Sequence, residues 1–351
     1  MFLSRQKKII KNCGYILYLF VVISIGLELI IRVLGIAPPL PSQFSKNISD
    51  LYLSHRPRPL STVSGEVPSG EFYFDYSHNS LGFRDIEHSI DKPENTFRIL
   101  GLGDSFTYGS GAEFKDTYLF QLEKMLNNRE GDHPQIEIIK AGIPRYFPKT
   151  ERLLLEYYGK QFKPNLIIVG FLPNDIIDTA LGPEFIKVSR SGYLTSLVAD
   201  EISGIERFFF LYSHISRIII KKYVEREIHR NYPIHWDEIY QPDGFHEKDW
   251  IKVEDEYREL LSLANSIDAR LVILHIPMKG PWDPHDSYPA KRLARWCKSH
   301  NAYFVNALPM LKKAGDWKYT YYQKDGHCRP AGYKVIAQVL FDKLTKNRLV
   351  P

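Results

Sequence analysis

Residues 97–109 read FRILGLGDSFTYG, an apolar run from Phe97 to Leu102 that stops at Gly103-Asp104-Ser105 and closes at Gly109. A run of that length, with the turn-forming Lys92-Pro93-Glu94-Asn95 ahead of it, predicts a buried strand. Glycines at 101 and 103 let the backbone turn sharply or approach a ligand closely. Tyr118 to Asn127 then reads as an amphipathic helix, so the strand delivers Ser105 where open α/β sheets bind their ligands. Asp104 and Ser105 are also ordinary turn and cap residues, and this stretch alone is equally a plain strand-to-helix turn.

Outward from there the chain alternates. Apolar runs at Phe97 to Leu102, Ile136 to Lys140, Leu166 to Phe171, Arg270 to His275 and Ala302 to Asn306 predict five strands. Helix-like segments separate them: Tyr118 to Asn127, Lys149 to Gln161, Lys252 to Ile267 and Ala290 to His300, with Pro330 to Lys346 last. This is the pattern of an α/β protein, a parallel five-stranded sheet covered on both faces. In the last helix Ile336, Leu340 and Leu344 form an apolar stripe with Val335 and Val339 beside them, and Pro330 suits its first turn. Residues 178–250 interrupt the rhythm with a predicted helix over Ile205 to Arg230, apolar through Phe208, Leu211, Tyr212, Ile215 and Ile219 and basic through Arg217, Lys221, Lys222, Arg226 and Arg230. It is a solvated cover helix, or a lid or surface facing anionic lipid or glycan.

The N-terminus is of another kind. Cys13 to Ile31 is an apolar run of 19 residues broken only by Glu28, and as a helix it spans about 28 Å, close to a bilayer core. Arg5, Lys7, Lys8 and Lys11 precede it with no comparable cluster after it, which puts residues 1–12 in the cytoplasm as a basic tail and 13–36 across the membrane as an uncleaved anchor. Glu28 and Arg32 are spaced to pair on one helical face near the outer end. The Pro-rich stretch from Ala37 to Ser42 predicts a stiff spacer, and residues up to 96 a β-rich lead-in, a hairpin or an extended segment, that includes the aromatic pieces Glu71 to Tyr76.

Of the net charge of +5, residues 1–36 hold five basic residues against one acidic, so the remainder is near neutral and nothing indicates nucleic acid. Cys13, Cys297 and Cys328 show no metal spacing and are expected as free thiols. No spacing implies a metal or an organic cofactor.

GDSFTYG at 103–109 resembles the nucleophile block GDSxTxG of the SGNH (GDSL) hydrolases. It is not the elbow of the α/β-hydrolases, because position 107 is Thr where that motif needs Gly. Further blocks follow in order: Gly142-Ile143-Pro144-Arg145-Tyr146 after the second strand, GFLPNDIID with Asn174 after the third, and DGHCRPAGYKVIA with Asp325 and His327 before the last helix. All fall at carboxyl ends of parallel strands and hence on one edge of the sheet.

The resemblance implies the flavodoxin-like three-layer α/β/α fold over 97–351, with the insertion at about 178–250. Ser105 would be the nucleophile, His327 its base and Asp325 the residue orienting that base. The Ser105 amide, the Asn174 side chain and the Arg145 backbone amide would bind the oxyanion, with Asp104 and Gly142 in support. Two departures stand out: Arg145 occupies a position usually glycine, where its side chain either contributes charge or narrows access, and only Gly326 separates Asp325 from His327. HNSLGFR at 78–84 resembles the stretch preceding the nucleophile block in envelope members, and Arg84 either lies near the site or pins the lead-in to the core.

With the anchor, the expected function is a cell-envelope serine esterase removing acyl groups, O-acetyl foremost, from carbohydrate through an acyl-serine. A polysaccharide O-acyltransferase using the same serine and a non-catalytic glycan-binding protein are the alternatives. The expected partners are an acylated glycan or other ester and the membrane through residues 13–36.

Overall fold

The computed structural model describes residues 2–37, 46–67, 69–188, 194–196, 204–231, 235–285 and 287–351. The predicted Pro-rich spacer lies almost wholly outside them. The chain forms two units, Met1–Pro41 with Val198–Pro233, and Ser42–Leu197 with Ile234–Pro351.

In the larger unit, short strands β1 (Asn47–Ile48) and β2 (Arg56–Pro57) pair antiparallel, and β3 (Thr62–Glu66) and β4 (Tyr73–Ser77) form a hairpin. The central sheet holds β5 (Thr96–Gly103), β6 (Gln135–Gly142), β7 (Leu166–Phe171), β10 (Arg270–His275) and β11 (Tyr303–Asn306), while β8 (Ile186–Val188) and β9 (Leu194–Ser196) pair separately. All five central strands are parallel, in the order β11-β10-β7-β5-β6. The chain therefore steps outward from β5 to β6 and then crosses back to β7. The reversal between β5 and β7 opens a crevice at the carboxyl ends of those two strands, and β5 ends there.

Both faces of the sheet are covered, which is why its strands read as continuous apolar runs instead of alternating ones. Ile99, Ile136, Ile138, Ile168, Val272 and Leu274 pack beneath α3 (Tyr118–Asn127) and α12 (Pro330–Lys346). On the opposite face Phe171 stacks on Trp250 of α8 (Glu247–Ser266), and Tyr257 of α8 meets Trp296 of α9 (Ser287–Ser299). The result is the three-layer α/β/α arrangement.

Two predicted helices are altered. In place of one helix over 149–161, α4 (Pro148–Leu154) widens into a π turn at Leu155–Gly159 and ends as a 3-10 turn. A Cβ on Gly159 would stand 2.7 Å from Leu100 of the sheet, so the irregular turn passes where only a glycine fits. The helix expected over 205–230 is two helices in the smaller unit, α6 (Gly204–Tyr212) and α7 (His214–Asn231). Ser213 breaks the run because its Oγ accepts the Ser216 amide as a cap. The same unit contains α1 (Phe2–Leu34), whose segment Lys11–Leu34 is long and apolar enough to cross a membrane. Cys13, Cys297 and Cys328 are free thiols, as expected.

Candidate active site

Ser105 opens α2 (Ser105–Tyr108), a single helical turn at the carboxyl end of β5. The turn is held there by contacts that admit no larger residues. A Cβ on Gly142 would meet the Tyr108 amide at 2.3 Å, and on Gly103 or Gly170 it would meet Thr107 Oγ1 at 2.1 and 2.5 Å. Thr107 thus fills a glycine-lined slot between β5, β6 and β7, with its hydroxyl 2.9 Å from the Tyr118 hydroxyl. The Asp104 carboxylate accepts the Phe106 amide at 2.8 Å and caps the turn. Gly142 is therefore the floor on which α2 rests, and Asp104 the cap that aims it.

His327 comes from the far edge of the sheet. After β11, α10 (Leu308–Lys313) and α11 (Trp317–Thr320) carry the chain back over the carboxyl ends of the strands, and an antiparallel bridge between Tyr321 and Cys328 closes the loop. His327 Nε2 then lies 2.9 Å from Ser105 Oγ. Its Nδ1 hydrogen-bonds Asp325 Oδ1, which also accepts the His327 amide at 3.3 Å. Gly326 at φ 95° makes the tight turn that lets one carboxylate serve both groups across a single intervening residue. Burial raises the Asp325 pKa, but the contact with His327 outweighs it and holds the carboxyl below its usual range.

The loop rests on residues that the linear pattern does not reveal. Glu71, between β3 and β4, accepts the amides of Gln323, Lys324 and Asp325 at 3.0, 3.0 and 2.8 Å. Those three bonds hold its carboxyl below the ordinary value in spite of burial. The Lys279 ammonium donates to the carbonyls of Gln323 and Lys324 from the other side. Arg84 is buried against the Ser105 side of the site. Its guanidinium donates to the carbonyls of Gly109 and Ala112, both at 2.8 Å, and lies 3.7 Å from the Tyr76 ring centroid. It pins the lead-in to the segment after α2.

Asn174, expected to bind the oxyanion, opens α5 (Asn174–Leu181) after β7, and its Nδ2 donates to Asp178 Oδ2 at 3.1 Å. Asp178 in turn faces Arg145 Nη2 at 3.2 Å. Arg145 has φ 70°, the left-handed conformation that favours glycine, so the backbone keeps the glycine-type geometry while the side chain turns away to Asp178. Of the two readings of Arg145, charge contribution and narrowed access, the structure supplies a third: its charge is spent on the acid that holds Asn174. Burial raises the Asp178 carboxyl above its usual value, with Arg145 and Asn174 opposing. Among the described residues neither the Ser105 nor the Arg145 backbone amide has a protein acceptor.

Behind this site lie further buried acids. Burial pushes Asp104 up to about 6, and Glu151 and Asp175, which repel it and each other, stand well above the ordinary carboxylate range. Neither Glu151 oxygen has a hydrogen-bond partner among the described residues. Burial and mutual repulsion thus favour the uncharged form of Glu151 and Asp175. Among the described residues no cluster of His, Cys, Asp and Glu can hold a metal ion.

A serine and histidine in contact, set at the reversal point of a 2-1-3-4-5 parallel sheet with an acid behind the histidine, form an arrangement capable of serine-hydrolase chemistry on a flavodoxin-like fold. The family model described as GDSL-like Lipase/Acylhydrolase matches residues 102–335, and the chain belongs to that family of ester-hydrolysing enzymes. No curated protein matches the sequence. Among solved structures it is similar to TesA, at 12% identity over 71% of this chain and 98% of that one, with a TM-score of 0.44. It is also similar to the psychrotrophic esterase EstA from Pseudoalteromonas sp., at 15% identity over 73% and 100% of the two chains, with a TM-score of 0.41. A catalytic mutant of the acetylxylan esterase Axe2 from Geobacillus stearothermophilus matches at 12% identity over 71% and 94%, with a TM-score of 0.44.

Proposed function

We propose that Ser105 is the nucleophile, His327 its general base and Asp325 the group that orients His327, in an enzyme that removes acyl groups from carbohydrate esters of the cell envelope. His327 Nε2 takes the Ser105 proton as Oγ attacks the ester carbonyl carbon. The same proton passes to the leaving alkoxide as the acyl-serine forms; a water deprotonated by His327 then attacks the acyl carbon, and His327 returns that proton to Ser105 Oγ as the acid leaves. The Ser105 and Arg145 amides and the Asn174 side-chain amide receive the oxyanion.

The observation that carries this reading is the unbroken contact from Ser105 Oγ to His327 Nε2 and from His327 Nδ1 to Asp325. The carbohydrate substrate rests on the resemblance to envelope members together with the apolar helix α1, and the basic flank before that helix supports an extracytoplasmic catalytic unit.

The test uses the full chain in detergent with a fluorophosphonate probe, the adduct located by mass spectrometry, beside Ser105→Ala and His327→Ala. Labelling of Ser105 that vanishes in both variants is the expected result. Absence of any adduct on folded wild-type protein overturns the reading in favour of a glycan-binding protein. An O-acetylated polysaccharide should then release acetate without an added acceptor; release only in the presence of an acceptor sugar would make the enzyme an O-acyltransferase.

A further inference from the structure

The smaller unit presents an apolar helix face that no described residue covers. In α6 Ile205, Phe208, Phe209 and Tyr212 fall at i, i+3, i+4 and i+7, one stripe of a helix. Such a stripe normally packs into a core, yet here the four residues are 68%, 54%, 47% and 62% exposed. The stripe is also tied to α1. The Glu28 carboxylate accepts the amides of His214 and Ile215 at 2.8 and 3.0 Å and the Ser213 hydroxyl at 3.2 Å, filling the start of α7, where backbone donors lack helical partners. Arg32, paired with Glu28 at 2.9 Å, donates from Nη2 to the Tyr212 carbonyl at 2.6 Å, the opposite kind of helix end and the one that favours a cation.

Two charges one turn apart on α1 therefore clasp the corner between α6 and α7. Glu28 lies six residues before Leu34, where α1 ends, so the corner sits about 9 Å inside that end along the helix axis. If α1 crosses a bilayer, this is the depth of the boundary between headgroups and acyl chains. Residues 204–231 carry six basic residues against three acidic, a balance suited to an anionic headgroup layer.

We propose that α6 lies in the membrane interface where α1 ends, with the stripe from Ile205 to Tyr212 in the acyl boundary and the exposed Lys221, Lys222, Arg226 and Arg230 of α7 among lipid headgroups. The partner is the lipid surface, and the proposal rests on reading α1 as the anchor. An interfacial helix needs an apolar face set against a cationic one, and the insertion places them on two helices joined at a capped corner.

Nitroxide accessibility tests it on the full chain with Cys13→Ser, reconstituted in vesicles of phosphatidylcholine and phosphatidylglycerol. Cys297 and Cys328 are buried and do not compete for the label. Labels at Phe208→Cys and Phe209→Cys replace exposed side chains and should collide with oxygen far more than with a water-soluble nickel chelate. A label at the exposed Lys115→Cys should show the reverse. Nickel collision at 208 and 209 equal to that at 115, with a label at Val22→Cys still protected, would overturn the docking while the anchor stood. A nickel-accessible label at 22 would remove the anchor and the docking together.

Discussion

Asn174 shows how a single side chain depends on two others. Its amide is held by Asp178, and Asp178 is balanced by Arg145, so a position usually occupied by glycine contributes through its side chain to the setting of the proposed oxyanion donor, which it does not touch. Asn174→Ala should lower kcat on the order of 10²–10³ with KM little changed, the signature of a bond made in the transition state. Asp178→Ala should lower kcat in the same direction by about tenfold, because it frees the amide without removing it. The double variant should be no slower than Asn174→Ala alone. Steady-state kinetics on a chromogenic ester decide this, and losses that add in the double variant would sink the positioning role of Asp178.

The loop from Gln323 to His327 is the element on which the chemistry turns, and it has no regular structure of its own. Glu71 replaces the missing ladder by accepting three consecutive amides. Charged hydrogen bonds of this kind contribute about 1.5–3 kcal/mol each, less where water competes. Glu71→Gln removes the charge and should speed amide hydrogen exchange at residues 323–325 while exchange in β5 and β7 stays unchanged. Labelling of Ser105 by the fluorophosphonate should slow in parallel. Uniformly faster exchange throughout the unit would assign Glu71 to global stability instead. The blocks of Ser105, Arg145 and Asn174 were legible in the sequence because each follows an apolar run and consists of turn-forming residues, whereas the block of Asp325 and His327, expected at the end of the fifth strand, follows α10 and α11 instead. The Glu71 cradle was not, since it joins residues some 250 positions apart.

For the molecule as a whole, buried histidines set opposite limits of pH. His88 lies between Asp85 and Glu137 at 2.8 and 2.6 Å. Burial alone would lower its pKa, but the two carboxylates raise it to about 9. Its folded value exceeds its unfolded one, so its stabilisation is complete below about 6.5, the ordinary histidine value, and fades as pH rises through about 9. His55, His78 and His275 are the reverse: burial lowers each to about 4. What they contribute is present above about 6.5 and lost as pH falls toward about 4. Thermal melts should therefore peak near neutrality, and His88→Gln should cost on the order of 3 kcal/mol at pH 6 and little at pH 10. A His88→Gln penalty independent of pH would remove the ion-pair account. The sequence by itself determined where the five central strands and most of their flanking helices lie and which strand ends carry Ser105 and Asn174, because burial on two faces and turn chemistry are written in neighbouring residues. Only the tertiary structure decided that Arg145 turns to Asp178, that Arg84 and Glu71 hold the two sides of the site, and that Ser213 breaks a helix whose new end Glu28 caps. Those partners are distant in the chain, and a hydrogen bond is chosen by which groups the fold brings within about 3 Å.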